Sequence, residues 1–183
     1  MTLTFQKIDK EWDWVRTIKL CSGHVKDLEI DSSDNVYVLV QYQGMTSSNC
    51  DVRFSEAPFF DFESNNAIDM FVAKYDNNGN LLWVTHSDSL QSPQSSREFL
   101  VTSDSGISVE NSGDVTISFS AKTRSSNTIT FGGLSVDNGL SCIGFYMPYI
   151  ARLDSLGDVS WISSPDILDG CNDLGNYAYT DVI

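Results

Sequence analysis

Apolar and polar positions alternate in short runs, and no stretch keeps apolar residues at helical spacing over three turns. β-Branched and aromatic residues dominate six of these runs: Val36–Val40, Phe71–Tyr75, Leu81–Val84, Val115–Phe119, Tyr149–Leu153 and Val159–Ile162. Each run is bounded by clusters of Asp, Asn, Gly or Ser. Side chains that alternate across a pleat, followed by residues that favour turns, read as strands joined by tight connections. The pattern predicts an all-β chain.

The runs also repeat. Phe71–Val84 and Tyr149–Ile162 share one template: aromatic, aliphatic, Ala, basic, apolar, Asp, two variable, Gly, three variable, Trp, aliphatic. A copy two residues shorter opens the chain at Lys7–Val15, with Asp9, Trp12 and Trp14. Each copy is a hairpin with a turn of Asp, Asn and Gly, residues that accept a positive φ or bond their own backbone. A second hairpin type lies between these copies. Glu29–Val38 matches Val109–Ile117, and a weaker copy falls at Asn172–Tyr179. With the strands of one unit called a, b, c and d, the order is c-d, a-b-c-d, a-b-c-d, a-b.

Four antiparallel strands per unit describe a propeller blade. The quoted motifs resemble the SBBP-type β-propeller repeats, in forms such as D-x-x-G-N-V-Y-V and F-V-A-K-Y-D-x-x-G-N-L-x-W. Asp34 departs from that pattern, standing where the family usually has Gly. The resemblance implies a β-propeller of four-stranded antiparallel blades, often found in surface or scaffold proteins. It divides the chain into a half blade 1–20, a blade 21–87, a blade 88–164 and a half blade 165–183. Three blades fall short of the usual four to eight. The expectation is therefore an incomplete propeller, or one completed by oligomerisation, and a chain that is not a free monomer.

In such a blade the a–b and c–d turns share one rim, and this rim is acidic, with Asp31, Asp34, Asp76, Glu110, Asp114, Asp154 and Asp158 among its residues. Turn chemistry explains these carboxylates. Asp76–Asn80 looks only loosely like a calcium loop, because the twelve-residue pattern with its terminal Glu is missing. The opposite rim carries long connections, 45–67, 85–103 and 123–145, expected to be irregular. They hold Phe54, Phe59, Phe60, Phe62, Phe99 and Phe131. Loop aromatics either pack against their own unit or mark a partner site. Phe54, Phe59, Phe60 and Phe62 are the candidate partner-binding residues. Trp14, Trp83 and Trp161 hold one repeat position and are expected to be buried at equivalent places.

Charge narrows the function. Lys and Arg number 11 against 25 Asp and Glu, a net charge of −14. A chain so acidic does not attract nucleic acid or anionic lipid. No apolar run nears the ~18 residues of a membrane span. The N-terminal residues lack an apolar signal core, which points to a cytoplasmic or virion location. Cys21, Cys50, Cys142 and Cys171 form no CxxC or CxH pair, so zinc is not indicated. Without a signal peptide they read first as free thiols, with Cys50–Cys142 the candidate pair if a disulfide exists. His24 and His86 are the two histidines, and neither adjoins a G-x-S-x-G elbow. No P-loop, dinucleotide fingerprint or HExxH occurs, so no cofactor is expected. The leading expectation is a non-enzymatic structural or protein-binding module, self-associating or bound to a protein as a surface or virion component. A lectin-like module that holds carbohydrate between Trp side chains is the alternative. It requires Trp83 and Trp161 to be exposed in equivalent pockets. A propeller hydrolase ranks third.

Overall fold

The computed structural model describes residues 1–8, 12–43, 51–55, 57–60, 68–87, 97–100, 106–123, 128–137 and 146–164. Strands dominate throughout, and among these residues the only helical element is a 3-10 turn at Pro58–Phe60. The chain opens with the antiparallel hairpin β1 (Thr2–Ile8) and β2 (Trp12–Lys19). A four-stranded antiparallel sheet follows, ordered β3-β4-β6-β7, from β3 (Ser22–Ile30), β4 (Val36–Gln43), β6 (Ile68–Tyr75) and β7 (Leu81–His86). The second sheet repeats it with β10 (Val115–Thr123), β13 (Met147–Leu153) and β14 (Val159–Ser163). Its first strand is split into β8 (Arg97–Leu100) and β9 (Ile107–Val109), both paired to β10. In the first sheet the matching point is the bulge between Val25 and Asp27. The expected half unit at 165–183 lies outside the described residues.

The repeat extends to the register. Each c–d hairpin breaks its ladder at the same place, between Lys7 and Ile8, Lys74 and Tyr75, and Arg152 and Leu153. A bulge there leaves a basic residue directly across from a Trp in every copy: Lys7 opposite Trp14, Lys74 opposite Trp83, Arg152 opposite Trp161. The two longer c–d turns and both a–b turns also close alike. Gly79, Gly113 and Gly157, and Asp34 in the first a–b turn, take a positive φ. Their amides donate to the carbonyl three residues earlier, at Asp76, Glu110, Asp154 and Asp31. Three of the acidic residues that open these turns cap them from within. Asp31 accepts from the amides of Ser33 and Asn35, Asp76 from those of Asn78 and Asn80, and Asp154 from those of Leu156 and Asp158. These carboxylates serve as turn formers, as the Asx preference predicts.

The first sheet is covered on both faces. Val36, Val38, Val40, Phe71 and Ala73 pack toward the opening hairpin, where Leu3, Trp14 and Ile18 meet them. Tyr37, Leu39, Met70 and Val72 pack toward the second sheet, against Val115, Ile117, Phe119 and Tyr149. This two-sided burial explains why Val36–Val40 reads as a continuous apolar run rather than an alternating one.

The long connections depart from expectation in two places. Within 45–67, β5 (Arg53–Phe54) adds a third strand to the opening hairpin by pairing with β2, Phe54 opposite Ile18. Within 123–145, β11 (Thr128–Phe131) and β12 (Leu134–Asp137) form a hairpin around Gly132 and Gly133, and Phe131 bridges to Ser87 at the end of β7. Both glycines take a positive φ, as a two-residue hairpin turn demands. Ile18 and Ser87 each stand four residues past the repeat Trp. In both places a connection from one unit therefore reaches back to the open edge of the unit before it. An unpaired strand edge is costly, and covering it gives these segments their order.

Candidate functional site

The repeated Trp positions are joints between units. The indole of Trp14 lies on the turn of the next c–d hairpin: a Cβ placed on Gly79 would fall 2.5 Å from its Cδ2. Its Nε1 donates to the Asn77 carbonyl at 3.1 Å. Trp83 repeats the contact one unit on. A Cβ on Gly157 would fall 2.6 Å from Cδ2 of Trp83, and Nε1 donates to the Ser155 carbonyl at 3.1 Å. Two residues beyond each Trp stands a second donor to the same turn. Arg16 Nε donates to the Gly79 carbonyl, and Thr85 Oγ1 donates to the Gly157 carbonyl. Each joint thus combines a ring laid on a glycine with two donors aimed at the carbonyls of turn residues two and four.

A row of side chains runs across the first sheet at this joint. Tyr37, Lys74 and Trp83 are cross-strand neighbours, with the Lys74 ammonium 4.9 Å from the Tyr37 ring centre. Tyr37 also reaches Gly113, the turn glycine of the second sheet's a–b hairpin. Burial pushes the Tyr37 phenol up, and its hydrogen bond to the Asp31 carboxylate adds to the shift. Nearby, the Ile107 amide donates to Asp27 Oδ2 at 2.9 Å, tying the bulge of the first sheet to the second.

The equivalent row on the second sheet is Thr116, Arg152 and Trp161. Arg152 is held by Glu110 and Asp114 of its own a–b turn. These carboxylates raise its guanidinium pKa. Trp161 is 43% exposed, against 6% for Trp14 and 9% for Trp83. The expectation of three equally buried tryptophans is therefore corrected at Trp161. The turns that cover Trp14 and Trp83 each belong to a following c–d hairpin, and among the described residues no c–d hairpin follows Trp161.

The candidate aromatics divide. Phe54 is buried, packed edge-on against Phe71 with ring centres 5.8 Å apart. Phe60 is half-buried against the same cluster. The Phe59 side chain and Phe62 lie outside the described residues. Phe131 is fully buried against Phe119. Phe54 and Phe131 thus serve the joints between units. The cleft beside the first joint, lined by Arg16, Phe54, Tyr75 and Leu81, has its guanidinium engaged by the carbonyls of Gly79 and Asn78.

The first reading of four free thiols is corrected at Cys21, which is disulfide-bonded. Cys50, Cys142 and Cys171 lie outside the described residues, and with them the pair Cys50–Cys142. His86 adjoins Ser87, whose Oγ donates to Asp69 Oδ1 at 3.0 Å. Ser87 is fully buried, its Oγ also accepts from the Met70 amide, and His86 Nδ1 lies 3.1 Å from the Ser87 carbonyl. The trio ties the end of β7 to β6, with the hydroxyl shut away from any substrate. Among the described residues no three His, Cys, Asp or Glu side chains gather as metal ligands. No helix among them is long and apolar enough to cross a membrane.

Arg16, Thr85 and Ser163 were not singled out in the sequence. The signal was present: a side-chain donor stands two residues after Trp14, Trp83 and Trp161. No known protein family, curated protein or solved structure matches the chain.

Proposed function

We propose that this protein is a non-enzymatic structural module that binds protein through the outer face of its second sheet, its units adding one to the next as blades of a propeller do. The observation that carries the reading is the exposure of Trp161 at a position buried in both other copies. The chemistry of the face fits a reversible partner. Tyr37, which faces the next unit from β4, has the half-buried Thr116 as its counterpart in β10. A threonine hydroxyl and a guanidinium beside a single exposed Trp match the mixed polarity of non-obligate interfaces rather than a permanent core. The carbohydrate reading has less support, because it needs two equivalent Trp pockets and Trp83 is covered by Gly157.

Hydroxyl-radical footprinting of the chain in an extract of its native source, compared with the isolated chain, tests the proposal. Protection of Trp161, with Leu156 on the neighbouring turn equally reactive in both samples, is expected. Equal reactivity of Trp161 in both samples overturns the reading, as does saturable retention on a glycan array that Trp161→Ser abolishes.

A further inference from the structure

We infer that Trp161 and Ser163 form a docking site for a β-hairpin whose five-residue turn reads Asp-x-x-Gly-x, supplied by a partner protein built on this repeat. The inference rests on the protein-binding reading and names what binds.

Two joints within the chain show what the site takes. In each, a Trp ring lies on the turn glycine, and its Nε1 bonds the carbonyl of the residue after the opening Asp. In each, a donor two residues past the Trp bonds the glycine carbonyl. The third copy keeps both parts: Trp161 is the ring and indole donor, and Ser163 is the second donor. Both stand on β14, an edge strand of its sheet. Among the described residues, Ser163 Oγ makes a long 3.4 Å contact to the carbonyl of its neighbour, Ser164. The hydroxyl at this position matches Thr85 more closely than Arg16, so the pair has the chemistry of the Trp83 joint.

The geometry is selective. A side chain in place of the turn glycine would meet the indole at 2.5–2.6 Å, so the occupant must offer Gly at the fourth turn position. Among the described residues this chain leaves no Asp-x-x-Gly-x turn uncovered, and Gly113 closes a turn that opens on Glu110 and already meets Ser155 and Tyr37. Its turns at Gly79 and Gly157 are already covered by Trp14 and Trp83. Its opening hairpin joins Ile8 to Trp12 with three residues and no glycine. A turn two residues shorter has no glycine to set beneath the ring. Continuity with the two existing joints therefore points to a hairpin with the longer turn, which the described residues do not leave free and a partner built on this repeat would carry.

The probe is a backbone-cyclised hairpin spanning residues 71–84 with Trp83→Phe, its fold verified by amide chemical shifts, added to the full chain up to millimolar concentration. Selective excitation of Trp then reports the protein alone. A saturable blue shift of emission is expected, lost in the Trp161→Phe chain and lost when the peptide carries Gly79→Ala. Weakening by Ser163→Ala is expected as well. A folded peptide that leaves emission unchanged overturns the inference, and so does one that binds equally with Ala at the turn. Concentration-dependent dimerisation of the chain through Trp161 would make a second copy the occupant and overturn it too. If Trp161 is protected in the native extract while the hairpin fails to bind, the protein-binding reading stands and this partner chemistry falls.

Discussion

The ring of Trp14 lies so close to Gly79 that the glycine has no room for a Cβ, which would fall 2.5 Å from Cδ2. The same glycine holds φ at +75°. Gly79→Ala therefore adds overpacking to left-handed backbone strain, and we expect a loss of about 2–4 kcal/mol. Gly157→Ala should behave alike, for Trp83 covers it in the same way. Gly133 is the control, with φ at +80° and nothing within 4 Å of its missing Cβ. Gly133→Asn should cost less than about 1 kcal/mol, since Asn tolerates that backbone region. Denaturant unfolding of the three variants checks the contrast.

Identical residues at one repeat position should differ sharply in their contribution. Trp83→Ala removes a buried ring and the donor to Ser155, a loss of about 3–5 kcal/mol. Trp161→Ala, at an exposed site, should change stability by no more than ~0.5 kcal/mol. Equal effects in thermal unfolding would show that the two are not distinguished by a covering turn.

Thr85→Val keeps the volume of the side chain but removes the donor to the Gly157 carbonyl. Thr85 is buried, so the carbonyl loses its partner where water does not replace it easily. About 1–3 kcal/mol should be lost, and Thr85→Ser should recover part of it. Phe131→Ala and Phe54→Ala test the other joint element. Each should cost about 3–5 kcal/mol by opening a cavity at a sheet edge.

Acid should unfold the turns. Burial of Asp31 and Asp76 opposes ionisation, but hydrogen bonds from Asn35, Ser33 and Tyr37 to Asp31, and from Asn80 and Asn78 to Asp76, prevail and hold both carboxyls below the ordinary value of 3.8. A folded-state pKa below the unfolded one gives stability that is present above the unfolded value. That stability is lost as pH falls through the folded value. Stability should therefore decline below about pH 4, and Asp31→Ala should flatten that decline, as urea midpoints across the acid range would show.

Reduction tests the disulfide of Cys21. Peptide mapping without reductant should recover Cys21 in a cross-linked peptide. Reduced protein should lose about 2–5 kcal/mol, in line with other structural disulfides. Recovery of Cys21 as a free thiol would contradict the structure.

Strands, turns and the repeat were legible because they depend on local rules. Alternation across the pleat marks Val115–Phe119 whatever it packs against, and an Asp that bonds the amides two and four residues on needs only its own turn. The order of the two hairpin types followed from the same local patterns. Burial and contact were decided by the tertiary structure, because both depend on which segment arrives from far along the chain. Trp83 and Trp161 hold the same position in one repeat template, yet one lies under the Ser155–Gly157 turn and the other faces solvent. Phe54 and Phe131 read as loop aromatics, either packed on their own unit or open to a partner, because nothing nearby in sequence announces the strand edges at Ile18 and Ser87 that they cover. Cys21 gave no local sign of its bond, since a disulfide is fixed by the approach of two distant backbones.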